Sequence, residues 1–346
     1  MNYFKYSWLN DDWERLQAQR SRLPHALLIH GAPDIGKREL ASHLAQALLC
    51  DTPGEGGHPC GECQACRWFS DGNHPDFRAL LPEILQPDAT ESDDAGEKSA
   101  KAKTPSREIK IEQVRSLDVF FNVGTHRGGA KVVLIYPADA LNVPSSNALL
   151  KVLEEPAPGT VFLLVTSHTE QVLPTIRSRA AKFAVTRPDP AVCARWLGEQ
   201  GVARAAERLA EAGGAPLAAL RSRDDDAHQA ERAELIEALG SAQFDPLRAA
   251  ERCEKAGNEN LVLWLMRWVT DLIGSRQVGA APRYHPAFGG AVRACAGRAQ
   301  VHALHGYYRR LAAARRVASH PLNPRLFAEE LLIDYARLIQ DQRQSP

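Results

Sequence analysis

Two rhythms of apolar and polar residues run along this chain. Short unbroken apolar runs occur at 25–30 (HALLIH), ending at Gly31, at 131–136 (KVVLIY), ending at Pro137, and at 160–166 (TVFLLVT). Runs of this length predict strands buried on both faces. A weaker strand is predicted at 181–185. Between these runs the apolar positions take helical spacing. Residues 37–50 set Leu40, Ala41, Leu44, Ala45, Leu48 and Leu49 on one stripe, and Ile111, Val114, Leu117 and Phe121 form another. Residues 145–155 predict a further helix, capped by serine, with Leu149, Val152 and Leu153 inside and Pro156 as its stop. Strands alternating with helices predict a parallel sheet covered on both faces.

The rhythm changes at Arg187-Pro188-Asp189-Pro190. Beyond it, Ala-, Leu- and Arg-rich helical spacing continues, broken by Gly213-Gly214, Asp224-Asp225-Asp226 and Pro282. The expected division is an α/β domain over 1–186, a small helical domain over 187–222 and a larger helical one over 223–346. Residues 86–107 contain nothing aromatic or large and apolar, so they are expected to be a disordered loop. The length, 346 residues, agrees with two or three domains.

Forty-two basic residues balance 42 acidic ones. That gives no electrostatic case for a dedicated duplex binder, but it leaves room for a local basic face. The most apolar stretch, 261–273, is interrupted by Arg267 and Asp271, well short of a membrane span. Residues 1–5 (MNYFK) lack the plan of a secretory signal. The chain therefore reads as cytoplasmic, with reduced cysteines.

Residues 31–38 (GAPDIGKR) fit G-x-x-x-x-G-K between an apolar strand and an amphipathic helix. In such a loop Gly31 and Gly36 let the backbone wrap phosphate, the next helix offers its amides, and Lys37 reaches the β- and γ-phosphates. The following position should be Ser or Thr, whose hydroxyl holds Mg²⁺. Arg38 has only donors and cannot ligate the ion. The central strand should end in a magnesium-binding acid, yet 131–135 runs into Tyr136-Pro137. Asp139 lies three residues too far along. The cleft is expected to lack hydrolysis, with ATP binding left undecided.

Four of seven cysteines cluster as Cys50-x9-Cys60-x2-Cys63-x2-Cys66. C-x2-C turns place two thiolates on one ion, and four sulfurs suit a closed tetrahedral zinc site, so one structural zinc is expected. Free thiols or a redox pair are the alternative. His58 and His74 could substitute as ligands, but they read better as surface imidazoles. Arg67, Trp68 and Phe69 could make a contact patch, but Trp68 and Phe69 read better as packing beside the metal loop.

With these residues in view, the sequence resembles the clamp-loader branch of the AAA+ family. Residues 147–156 (NALLKVLEEP) are close to its N-A-L-L-K-x-L-E-E-P signature. Residues 175–180 (TIRSRA) resemble T-I-x-S-R-C, with Ala180 in place of the cysteine. The resemblance covers about 23–185, and the four-cysteine insertion fits it. It implies an α/β AAA+ P-loop core with a parallel sheet, a small helical lid domain and a C-terminal all-helical collar domain. The ATP-hydrolysing gamma/tau subunits of that branch end the central strand in Asp-Glu, where Tyr136-Pro137 stands. They also carry a sensor arginine after a Gly-rich turn, where 213–219 (GGAPLAA) has Leu217. With Arg38, these losses imply the non-hydrolysing type of subunit.

The same resemblance makes Arg179 a finger reaching the γ-phosphate of a neighbouring ATPase, and puts Thr166 at the place of a polar sensor. The implied partners are gamma/tau ATPase subunits, a delta subunit, the sliding clamp and primed DNA, with no membrane. The implied setting is the holoenzyme of DNA polymerase III, a DNA-directed DNA polymerase and so a nucleotidyltransferase. Residues 261–266 and 326–338 would serve equally as subunit collar or as core. Two other readings stand: a self-sufficient gamma/tau-like ATPase relying on Asp139, and a zinc-bearing nucleic-acid binder.

Overall fold

A computed structural model describes residues 6–86, 105–122, 129–224 and 226–340. The expected loop at 86–107 therefore lies outside the described residues, apart from its ends. The chain divides into two compact units, Met1–Asp189 and Pro190–Pro346.

Among the described residues, the first unit holds five strands and six α-helices. In chain order they are α1 (Asn10–Ala18), β1 (Ala26–His30), α2 (Lys37–Leu49), α3 (Gln64–Ser70), β2 (Phe77–Leu80), α4 (Ile111–Asn122), β3 (Lys131–Ile135), α5 (Val143–Glu154), β4 (Thr160–Thr166), α6 (Pro174–Arg179) and β5 (Ala181–Ala184). All pairings are parallel, in the order β2-β3-β4-β1-β5. Leu28 lies opposite Leu164, and Val133 opposite Phe162. Every residue of β3 is buried, as its continuous apolar run requires of a strand covered on both faces. Strand side chains alternate faces. Ala26, Leu28, Val133, Ile135, Phe162 and Leu164 therefore share one core with Val114 and Leu117 of α4 and Leu149 and Leu153 of α5. Helix α2 covers the opposite face over β1, β3 and β4.

Helix α5 begins two residues earlier than the sequence reading placed it. Asn142 is the cap and accepts from the Ser145 amide at 3.0 Å, while Pro144 fits the first turn, where its missing N–H costs nothing. Ser145 lies inside the helix and donates its hydroxyl to the Ile109 carbonyl at 2.7 Å. At the other end of the unit, Asp12 of α1 is fully buried. Its carboxylate accepts from the Thr186 amide at 3.1 Å and the Thr186 hydroxyl at 2.8 Å, and it pairs with Arg15 at 2.6 Å. Arg15 also donates to the Ala184 carbonyl and covers the Phe183 ring.

Among its described residues the second unit has helices and no strand: α7 (Pro190–Glu199), α8 (Ala205–Glu211), α9 (Pro216–Arg221), α10 (Asp226–Gly240), α11 (Pro246–Arg252), α12 (Asn258–Val278), α13 (Gly289–Arg298), α14 (Val301–Val317) and α15 (Pro324–Gln340). Its core surrounds Trp268, Tyr307 and Tyr335. Their buried polar tips are paired, as burial demands. Trp268 Nε1 donates to the Tyr335 hydroxyl at 2.8 Å, which donates to the Leu239 carbonyl at 2.9 Å. The Tyr307 hydroxyl donates to the Leu331 carbonyl at 2.8 Å. Asp271 of α12 accepts from the amides of Arg283, Tyr284 and His285 and faces His285 Nδ1 at 2.9 Å, which pins the loop before α13. No described helix is long and apolar enough to cross a membrane.

Candidate functional site

The glycine-rich loop follows β1 and opens α2, as its sequence predicts. Gly31 and Gly36 have φ of +153° and +95°. A Cβ at Gly31 would stand 3.0 Å from the Val185 carbonyl, and one at Gly36 would stand 3.0 Å from Leu9 Cδ1, so both positions need glycine. Lys37 is only 4% exposed. Its ammonium donates to the Ala32 carbonyl within the loop and to the Ser167 hydroxyl at 2.9 Å. Burial pulls its pKa down to about 8, against the opposing pull of Asp34, Asp139 and Glu39.

A roof over this loop was not legible in the sequence. Trp8 Nε1 donates to the Ile35 carbonyl at 2.9 Å, Tyr6 stacks on Trp8 at 5.2 Å, and Tyr6 and Leu9 flank Gly36. The aromatic residues over 6–13 (YSWLNDDW) are the signal that could have found it.

On the magnesium side, Arg38 is exposed and holds its guanidinium 5.6 Å from the centre of the Tyr136 ring. An aromatic face and a cation thus stand where a hydroxyl and a carboxylate would hold Mg²⁺. Asp139 lies on a short 3-10 turn after Pro137. It accepts the hydroxyl of Thr166 at 2.5 Å, and the same Thr166 oxygen accepts from the His168 amide at 2.9 Å. Thr166 is fully buried at the end of β4, so strand and turn are locked together.

The four cysteines converge. Cys50 ends α2, Cys63 caps α3 and Cys66 lies in its first turn. Their sulfurs all lie within 4.8 Å of one another, with 3.5 Å between Cys50 and Cys60 and 3.9 Å between Cys60 and Cys66. Four thiolates at about 2.3 Å from one zinc stand about 3.8 Å apart. Amides of Cys60, Cys63 and Cys66 point at the sulfurs of Cys50, Cys60 and Cys63. The Thr52 hydroxyl, with further amides, lowers the Cys60 pKa to about 6, whereas burial raises those of Cys66 and Cys50. The donor set is therefore placed to hold a metal ion.

His58 and His74, expected on the surface, lie inside the fold. They are 8% and 2% exposed. His58 stacks on Trp13 at 4.8 Å and meets His43 Nε2 with its Nδ1 at 2.8 Å, so its ring supports the insertion from within. His74 Nδ1 accepts from the Asp76 amide at 3.1 Å. Phe69 packs on Phe77 at 4.6 Å, and Trp68 meets His74 edge-on at 6.1 Å.

Arg179 closes α6. It pairs with Glu154 at the end of α5 at 2.6 Å and donates to the Thr175 carbonyl at 3.1 Å, with its side chain 37% exposed. The two family-like motifs thus meet end to end, a contact that no sequence spacing reveals. In the second unit, Leu217 is half-buried in the first turn of α9.

A parallel sheet in this order, with a glycine loop between β1 and α2, defines a P-loop protein of the AAA+ type. Residues 11–189 match the family model "DNA polymerase III, delta subunit", and residues 227–337 match "DNA polymerase III, delta subunit, C terminal". The chain is 35% identical over 275 residues to the DNA polymerase III subunit delta' of Pseudomonas aeruginosa, covering 78% of this chain and 77% of that one. It is 34% identical over 287 residues to the subunit delta' of Escherichia coli K12, covering 80% and 78%. A gamma subunit-related protein of DNA polymerase III from Thermotoga maritima shares the fold at a TM-score of 0.51 and 16% identity, over 95% of this chain and 99% of that one. The chain belongs to the delta prime family of DNA polymerase III subunits.

Proposed function

We propose that this chain is a non-hydrolysing clamp-loader subunit that lends Arg179 to a neighbouring ATPase. The observation that carries the first half is the pairing of Arg38 with Tyr136 on the magnesium side of the loop. Neither side chain ligates a divalent ion or takes a proton from water at neutral pH. Asp139, the carboxylate on which the ATPase reading relies, is engaged by Thr166. A phosphate entering the loop would have to draw Lys37 away from Ala32 and Ser167. Nucleotide held there would stay uncleaved.

The second half rests on Arg179. A guanidinium stays charged and forks onto phosphate oxygens, so it can stabilise transition-state charge on a nucleotide held by another subunit. Its partner in this chain, Glu154, is half exposed and can give it up to a more strongly charged phosphate. The partners of this reading are gamma/tau ATPase subunits and a delta subunit, with the sliding clamp and primed DNA engaged through the assembly in the cytoplasm. Residues 187–222 act as the lid domain and 223–346 as the collar. The four cysteines hold one structural Zn²⁺. A closed four-sulfur shell leaves no position for substrate, so the ion braces the link between α2 and α3. Measured alone with ATP and Mg²⁺, the chain should show no turnover above background. Appreciable turnover abolished by Asp139→Ala would overturn the reading in favour of a self-sufficient ATPase.

A further inference from the structure

The second unit distributes its charge unevenly. Between Leu261 and Phe327 the sequence has ten arginines, no lysine and a single acid, Asp271. That acid is 3% exposed and is occupied by His285 and three backbone amides. A local excess of nine positive charges therefore sits in a chain whose formal total is zero. Arg276, Arg293, Arg309, Arg310, Arg315 and Arg316 are all exposed. Arg310 pairs with Asp334 at 2.8 Å. Among the described residues, none of the other five has an ion-pair partner.

The charges on α14 have a geometry. At 100° per residue, positions 302, 305, 306, 309, 313 and 316 fall within about 100° of arc. They lie opposite the buried Leu304, Tyr307 and Leu311. This stripe carries His302, His305, Arg309 and Arg316, with Gly306 and Ala313 between them. A Cβ at Gly306 would meet nothing within 4 Å, so the space between the charges is open. Gln277 meets His305 at 3.0 Å, which brings the end of α12, with Arg276, alongside.

We propose that this face binds the phosphate backbone of nucleic acid, without reading bases. Arginine forks suit phosphate oxygens. The stripe has no large apolar residue, whereas a protein partner's interface needs an apolar core inside its charged rim. Interfaces with nucleic acid are polar and strongly positive instead. Only the supply of nucleic acid to this face rests on the clamp-loader reading.

The test is fluorescence anisotropy of labelled primed DNA with the full chain, from about 50 to 200 mM salt. Each phosphate contact contributes about 0.9 to the slope of log affinity against log salt. Arg309→Ala with Arg316→Ala should lower that slope by about 2 and weaken binding about tenfold, at an unchanged melting temperature. Arg309→Lys with Arg316→Lys should keep the slope. Arg195→Ala with Arg248→Ala, which removes the same charge from exposed positions elsewhere, should leave binding alone. The proposal fails if the chain shows no salt-dependent binding, if the double alanine variant binds like the parent, or if the control pair weakens binding equally. It also fails if polyglutamate displaces the DNA at equal charge concentration, which would assign the face to an acidic protein. The assay uses neither ATP nor the clamp, so its failure leaves the clamp-loader reading intact.

Discussion

Replacing Arg179 with alanine separates what this residue does for its own chain from what it does for a neighbour. In the chain alone its guanidinium is 37% exposed and pairs with Glu154 at 2.6 Å. Solvent screens such a pair, which is worth about 0.2–1 kcal/mol. The variant should therefore melt within about 4 °C of the parent. A finger reaching a γ-phosphate is worth about 10³–10⁵ in rate, or roughly 4–7 kcal/mol of barrier. The two roles thus differ by several kcal/mol, well beyond experimental scatter. Only the ATP site facing this chain would lose its arginine, so steady-state turnover of a reconstituted assembly should fall by that site's share. Single-turnover kinetics should show the missing share as a slow phase about a thousandfold behind the rest. Arg179→Lys keeps the charge without the fork and should recover little. A full-amplitude fast phase with normal clamp loading by the alanine variant would refute the trans role.

Four further outcomes are expected. Lys37 has a pKa of about 8 when folded, below the 10.5 of the unfolded chain, so the unfolded state binds more protons between those values. Stability should accordingly rise with pH above about 8, and Lys37→Met should flatten that rise in urea melts followed across that range. Elemental analysis should find near one zinc per chain. Cys63→Ser should lower that content and raise protease sensitivity around residues 50–66. Tyr335→Phe should cost about 1–3 kcal/mol in chemical denaturation, because it leaves Trp268 Nε1 without its acceptor in the core. Asp12→Ala should cost a similar amount, since the Thr186 amide then loses its acceptor.

The central strands were readable because β1, β3 and β4 are buried on both faces, and an unbroken apolar run can satisfy only that environment. Edge strand β2 was not, since Arg78 and Ala79 are exposed and leave no run to recognise. The start of α5 shifted because Asn142, rather than a serine, takes the cap. The four cysteines and the glycine loop were legible through local spacing, which fixes local geometry. Contacts that tie distant segments were not. Trp8 on Ile35 and Glu154 on Arg179 span 27 and 25 positions, and the fold alone brings them together. His58 looked like a surface residue until Trp13 and His43 closed on it from other helices.

The carboxylate of Asp12 gives the first unit a mooring with mechanical meaning. It fastens Thr186, the last stretch of chain before Pro190, to α1. The turn just ahead of α1 carries Trp8 and Leu9, which rest on Ile35 and Gly36. A pull on the chain at Thr186 would therefore reach, through Asp12 and α1, the aromatic cover of the glycine-rich loop, so that one rope holds both.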